Sequence, residues 1–144
     1  MITEDDIRLI EGVAIKIRRK LDGLEKDKEL CEELCNLTKK EKHTIFAISD
    51  KGNKTMGEIA ENLGVTVSTP TTTINRLIEK GYVCRDIGKE DRRKVLVSLT
   101  DEGKKLYKQM LNMRIKNLEI IFETLSDIEL DMFRKLMKKL NSTL

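Results

Sequence analysis

The stretch from Thr55 to Thr100 constrains the fold more than any other part of the chain. It opens with Thr55-Met56-Gly57-Glu58, a capping box in which the Thr55 hydroxyl accepts the Glu58 N–H and the Glu58 carboxylate reaches back to Thr55. Ile59, Ala60 and Leu63 give this first helix an apolar face, and Gly64 can take the left-handed conformation that ends it. The turn Gly64-Val65-Thr66 follows, with Val65 expected to pack between two helices. The second helix is expected over Val67 to Lys80. Pro70 belongs in its first turn, because proline has no N–H to donate, which leaves Thr66 or Ser68 as the N-cap. Two helices about a tight turn, followed by a hairpin rich in Arg and Lys, form a device that sets one helix in a DNA groove with a basic finger beside it.

Along the second helix, Pro70, Ile74, Leu77 and Ile78 fall on one apolar stripe, and Ser68, Thr69, Thr71, Thr72, Asn75 and Arg76 fall on the opposite side. Hydroxyls of Ser and Thr can meet base edges or phosphates, threonine methyls suit thymine methyls, and Arg76 can bind guanine or phosphate. The bland alternative is a solvated helix face. Threonines have poor helix propensity, so a run of them exposed on a helix is costly without a use.

Gly81-Tyr82 ends that helix. Val83-Cys84-Arg85 starts a strand that returns as Val95-Leu96-Val97-Ser98-Leu99, with Cys84 expected in the core, and the loop Asp86 to Lys94 between the strands is too charged for a core. Residues 76–94 hold seven Lys or Arg against four Asp or Glu, an excess equal to the formal net charge of +3 of the whole chain. A basic tip carrying Arg92, Arg93 and Lys94 can enter a narrow minor groove, where negative potential is concentrated. Asp91 is placed to hold a guanidinium and aim it. Most charge runs are only solvated tips, but the Thr/Arg helix beside this one argues for a use.

These residues resemble a known family. The order Glu58-Ile59-Ala60-x-x-Leu63, Leu77-x-x-Lys80-Gly81-Tyr82-Val83, Asp91-x-Arg93, then Leu99-Thr100 and Gly103 is similar to the MarR family of winged-helix transcription regulators over roughly residues 37 to 110. The resemblance implies a dimeric regulator of double-stranded DNA. The helix matching Val67 to Lys80 would read the major groove and the Asp-x-Arg wing the minor groove. By position, Arg93 would be the minor-groove arginine, Asp91 its orienting carboxylate and Arg92 a second contact. Pro70 departs from the commoner pattern of the family. A narrower similarity, carried by Leu37-Thr38-Lys39-Lys40-Glu41-Lys42-His43-Thr44-Ile45 and by Asn75-Arg76-Leu77, points to the branch that represses fatty-acid biosynthesis genes with an acyl-acyl-carrier protein as co-repressor.

The remainder reads as a scaffold that pairs two such devices. Ile7, Ile10, Ala14, Ile17, Leu21 and Leu24 recur three and four apart, a coiled-coil-like seam that a lone chain hides with difficulty. Residues 1–37 hold seven basic against ten acidic groups, so this end should sit away from phosphate. Gly23 is a candidate break before Leu30, Leu34 and Leu37. Thr38-Lys39-Lys40-Glu41 is a second capping box, opening a helix that packs Ile45, Phe46 and Ile48 and closes at Gly52. A long helix from Thr100 or Asp101 carries Leu106, Met110, Met113, Ile120, Ile121 and Phe122. A third box, Ser126-Asp127-Ile128-Glu129, opens a last helix whose Ile128, Met132, Phe133, Leu136, Met137 and Leu140 share a face.

The expected fold is therefore mainly α with a small β-hairpin wing, an α+β chain of one domain. Residues 38–100 form a winged helix-turn-helix lobe, and residues 1–37 and 101–144 form dimerisation helices. A chain of 144 residues suffices for one core. At 39% hydrophobic and 37% charged residues it should be helical with broad solvated faces. No apolar run approaches the ~20 residues of a membrane span and the start is acidic, which places the protein in the cytoplasm. Aromatics make up 3% with no Trp, too few to stack single strands, so duplex DNA is the better partner.

One His, no phosphate-cradling Gly loop and no converging carboxylates leave nothing resembling an active site, and neither a metal nor a cofactor is expected. The partners expected are double-stranded DNA, a second copy of the chain and a small-molecule or acyl-carrier effector. Two alternatives stand beside this reading. Cys31 and Cys35, four apart and eight before His43, suit a thiol- or metal-responsive regulator, although free cysteines usually act as small buried hydrophobes. A winged helix can also serve as a protein-docking module without binding DNA.

Overall fold

Reciprocal caps start four of the helices, one between Thr3 and Asp6 and three with the Ser/Thr-x-x-Glu spacing. In the computed structural model, which describes residues 1–22 and 32–144, Thr38, Thr55 and Ser126 each accept the N–H of the glutamate three residues on. The carboxylates of Glu41, Glu58 and Glu129 accept the cap N–H in return, at 2.8, 2.7 and 2.9 Å. The elements in order are α1 (Glu4–Asp22), α2 (Glu32–Cys35), α3 (Lys39–Ile48), β1 (Lys54–Thr55), α4 (Met56–Leu63), α5 (Thr71–Glu79), β2 (Val83–Ile87), β3 (Val95–Leu99), α6 (Asp101–Phe122) and α7 (Asp127–Thr143). The chain is mainly helical with a small wing, the expected class.

The described residues fall into two compact units: those of 28–111, and those of 1–27 with 112–144. In the first unit, α3, α4 and α5 enclose Ile45, Ile48, Ile59, Ala60, Ile74 and Leu77. Val83, Val97 and Leu99 of the sheet are buried as well, together with Leu106 and Met110 of α6. The sheet has the order β1-β3-β2 and is antiparallel throughout, with Lys54 opposite Val97 and Val83 opposite Leu99.

In the second unit, the Asn117 side chain donates to the Lys20 carbonyl at 3.3 Å, and the rings of Phe122 and Phe133 lie 5.0 Å apart. Its helices leave apolar side chains exposed: Ile7, Ile10 and Val13 on α1, and Ile128, Met132, Leu136 and Leu140 on α7.

Several expectations need correction. Val65 is 41% exposed and does not pack between helices. Its N–H closes back onto the Ala60 carbonyl after the left-handed Gly64 (φ 68°), which turns the side chain outward. α5 starts at Thr71, four residues later than expected, and Pro70 itself is the N-cap. With φ already set and no N–H to place, proline fits that junction, and its carbonyl accepts the Ile74 N–H at 2.9 Å. α3 ends at Ser49 (φ 59°), ahead of Gly52. β2 extends through Asp86 and Ile87, paired with Leu96 and Val95, so the charged loop is shorter than expected. β1 was not foreseen, because two residues show no alternation. The kink expected at Gly23, and Leu24, Leu30 and Cys31, lie outside the described residues.

Candidate nucleic-acid interface

α5 is held from behind. Pro70, Ile74 and Leu77 are buried, which directs Thr71, Thr72, Asn75 and Arg76 outward; Ser68 and Thr69 are exposed on the turn that precedes the helix. In that turn the Thr69 N–H donates to the Thr66 carbonyl at 3.1 Å, and the Thr66 and Thr69 hydroxyls meet at 2.9 Å. From Gly64 to Ile78 the chain contains no Asp or Glu. Over that stretch no carboxylate repels phosphates or base edges; the one acid on the outward face of α5 is Glu79, at its last position.

The far end of α5 is clamped. Lys80, its C-cap, donates to the Glu41 carboxylate at 2.9 Å and to the Asn36 carbonyl at 3.1 Å. Burial pushes the Glu41 carboxyl up, but the Thr38 N–H and the Lys80 hydrogen bond and charge outweigh it, and the group stays below the ordinary glutamate value.

The wing is fixed to the same helix at its base. The Thr100 hydroxyl donates to the Gly81 carbonyl at 2.6 Å and accepts the Gly103 N–H at 3.1 Å, while the Thr100 N–H donates to the Tyr82 carbonyl at 3.1 Å. At the tip, the Gly88 N–H donates to the Lys94 carbonyl at 2.8 Å and the Lys94 N–H to the Asp91 carbonyl at 3.1 Å. Arg92, Arg93 and Lys94 are exposed, and among the described residues neither arginine is ion-paired.

Asp91 does not grip a guanidinium. Its carboxylate accepts the backbone N–H of Arg93 at 3.0 Å, because an Asp two residues ahead of a free N–H closes a local turn before a long side chain can be immobilised.

The structure thus places the sequence-derived residues in two groups of one unit: Ser68 to Arg76 on the turn and α5, and Asp91 to Lys94 on the wing tip. Lys54 was missed. Its charge and that of Lys94 both act on Glu58, whose carboxyl is held low first by the Thr55 N–H and hydroxyl. Only the pairing of β1 with β3 brings Lys54 into this basic neighbourhood, and no motif marks it.

Neither described cysteine gathers a site. Cys35 is exposed, and Cys84 is half-buried with its sulfur 3.1 Å from the Ser98 hydroxyl, not in the core. Among the described residues no group of three or more His, Cys, Asp or Glu could hold a metal ion. Among them, too, no helix is long and apolar enough to cross a membrane.

Comparison with known proteins agrees with this geometry. Residues 37–95 match the sequence profile of the MarR family. The transcriptional repressor YetL of Bacillus subtilis is 36% identical over 80 residues, 56% of this chain and 48% of that protein. The chain spans about half the length of the first curated relatives it matches. The crystal structure of Streptococcus pneumoniae FabT in complex with DNA is similar at a TM-score of 0.74 and 26% identity, covering 94% of each chain. Apo MarR from E. coli is similar at a TM-score of 0.70 and 25% identity, covering 97% of this chain and 98% of that one.

Proposed function

The chain belongs to the MarR family of winged-helix transcription regulators, and from that premise we propose that it is a dimeric, sequence-specific repressor that binds an inverted repeat in duplex DNA. The reading rests above all on the acid-free stretch of residues 64–78, which carries the exposed residues of the turn and of α5 up to Arg76, in one unit with a hairpin tip whose two arginines are unpaired among the described residues. α5 enters the major groove and offers Ser68, Thr69, Thr71, Thr72, Asn75 and Arg76. The wing offers Arg92, Arg93 and Lys94 to the minor groove, with Asp91 shaping the tip. Neither the thiol-responsive nor the protein-docking alternative gains support from the relatives, which are regulators and not enzymes.

Residues 38–100 are the DNA-binding lobe in this reading, and residues 1–37 and 101–144 form the pairing region. The exposed apolar side chains of α1 and α7 are the surface a second copy covers. Two copies set their α5 helices about one turn of B-DNA apart, ~34 Å, and so read both half-sites. Occupation of a promoter in the cytoplasm then blocks transcription. A small-molecule or acyl-carrier effector changes affinity by binding differently to two arrangements of the paired helices.

The test titrates labelled duplexes enriched from a random library, at several salt concentrations, with the wild type and Arg93→Ala. Affinity that falls steeply with salt and drops in the variant supports the regulator. No binding in dilute buffer, or a single-chain mass in solution, overturns it.

A further inference from the structure

Resting on the reading of α5 as the major-groove helix, we infer that its leading end recognises thymine methyl groups and adenine, so that the half-sites are specified at T·A pairs, while Arg76, in the next turn, takes phosphate and not guanine. Guanine is read in the major groove by Arg or Lys through its O6 and N7. Between Lys54 and Arg76 the chain holds no Lys or Arg at all. α4, the turn and the first turn of α5 therefore hold neither of the side chains that commonly read guanine.

What this segment presents instead is methyl groups. Val65 and Val67 are 41% and 56% exposed on the turn. One hydrogen bond joins the Thr66 and Thr69 hydroxyls at 2.9 Å, and both side chains are exposed and present their methyls beside it. Thr71 and Thr72 are exposed behind them. A single exposed valine needs no explanation, but this cluster stands at the leading end of the one helix argued to meet bases. Thymine carries the one methyl on the major-groove edge, and apolar contact with it is a recognised mode of readout.

Asn75 supplies the complementary polar contact. It is exposed, three and four residues beyond Thr72 and Thr71, and so lies along the same helix face. Its amide can donate to N7 and accept from N6 of adenine in one bidentate pair. The wing arginines favour the same composition, because runs of A·T pairs narrow the minor groove and deepen its negative potential.

The experiment enriches duplexes from a random library with the full chain. Each thymine of the enriched site is then replaced in turn by deoxyuridine, which removes only the C5 methyl. Affinity should fall about fourfold at each contacted thymine, the effect of losing one buried methyl. Val67→Ala, at an exposed position that leaves the core intact, should lower wild-type affinity and lose less on deoxyuridine replacement at its own contact, since the protein half of that contact is already gone. Sites enriched in guanine at the half-site centres, or binding indifferent to deoxyuridine everywhere, would overturn the inference while leaving the regulator intact. Failure to bind any duplex removes the regulator reading itself, and this inference with it.

Discussion

The Glu41 carboxylate and the Lys80 ammonium meet at 2.9 Å, with the Glu41 side chain 2% exposed and that of Lys80 37% exposed. The pair joins the first turn of α3 to the C-terminal end of α5. Lys80→Met leaves a buried carboxylate without its cation and should cost about 2 kcal/mol, less than a fully buried pair because the Lys80 head still touches water. Adding Glu41→Gln should recover part of that loss. Urea midpoints of the two single variants and the double variant measure the coupling, and strictly additive losses would contradict it.

Acid should weaken the fold through the same residue. The Glu41 carboxyl lies below its ordinary value when folded, so the unfolded chain binds the proton more readily. The resulting stability is fully present above the unfolded value, about pH 4.3, and is lost as pH falls through the folded one. Unfolding midpoints followed from pH 7 to pH 3 should decline most steeply below about pH 4.3. In Glu41→Gln the decline should be shallower.

Two glycines separate folding from binding. A Cβ at Gly103 would collide with the backbone carbonyl of Tyr82, where α6 begins beside β2. Gly103→Ala should therefore cost about 3 kcal/mol by overpacking, seen as a lower thermal midpoint. At Gly88 a Cβ would lie 2.7 Å from the Asp91 carbonyl, inside the wing tip. Gly88→Ala should weaken duplex binding and move the thermal midpoint little, since the exposed tip contributes few buried contacts.

Much of this architecture was legible because its signals are local. A capping box is written in four consecutive residues, and Thr38, Thr55 and Ser126 start their helices where that pattern falls. The alternation in Val95–Leu99 and the stripe of Pro70, Ile74 and Leu77 likewise depend only on spacing. The failures were nonlocal or geometric. Lys54 joins the basic neighbourhood only through pairing of β1 with β3. The Glu41–Lys80 contact spans 39 positions, and nothing in either neighbourhood announces it. Val65 was misplaced because its outward turn follows from the left-handed Gly64 and not from its hydrophobicity.

The role of Asp91 can be decided by two substitutions that differ in one property each. Its carboxylate accepts the Arg93 backbone N–H at 3.0 Å, so the shape of the tip depends on an acceptor at that position and not on a negative charge. Asp91→Asn keeps a carbonyl oxygen there and removes the charge. Its affinity for duplex DNA in dilute buffer should match or exceed that of the wild type, because one source of repulsion from phosphate has gone. Asp91→Ala removes the same charge together with the acceptor, and the tip loses the bond that orders Arg93. Binding should weaken relative to Asp91→Asn by severalfold, the worth of about one hydrogen bond. Arg93→Ala should also lower the slope of log affinity against log salt by about one, as one cation that displaces a counterion from the DNA is lost. Equal weakening by Asp91→Asn and Asp91→Ala would instead show that the charge matters, and that the carboxylate steers a guanidinium once DNA is bound.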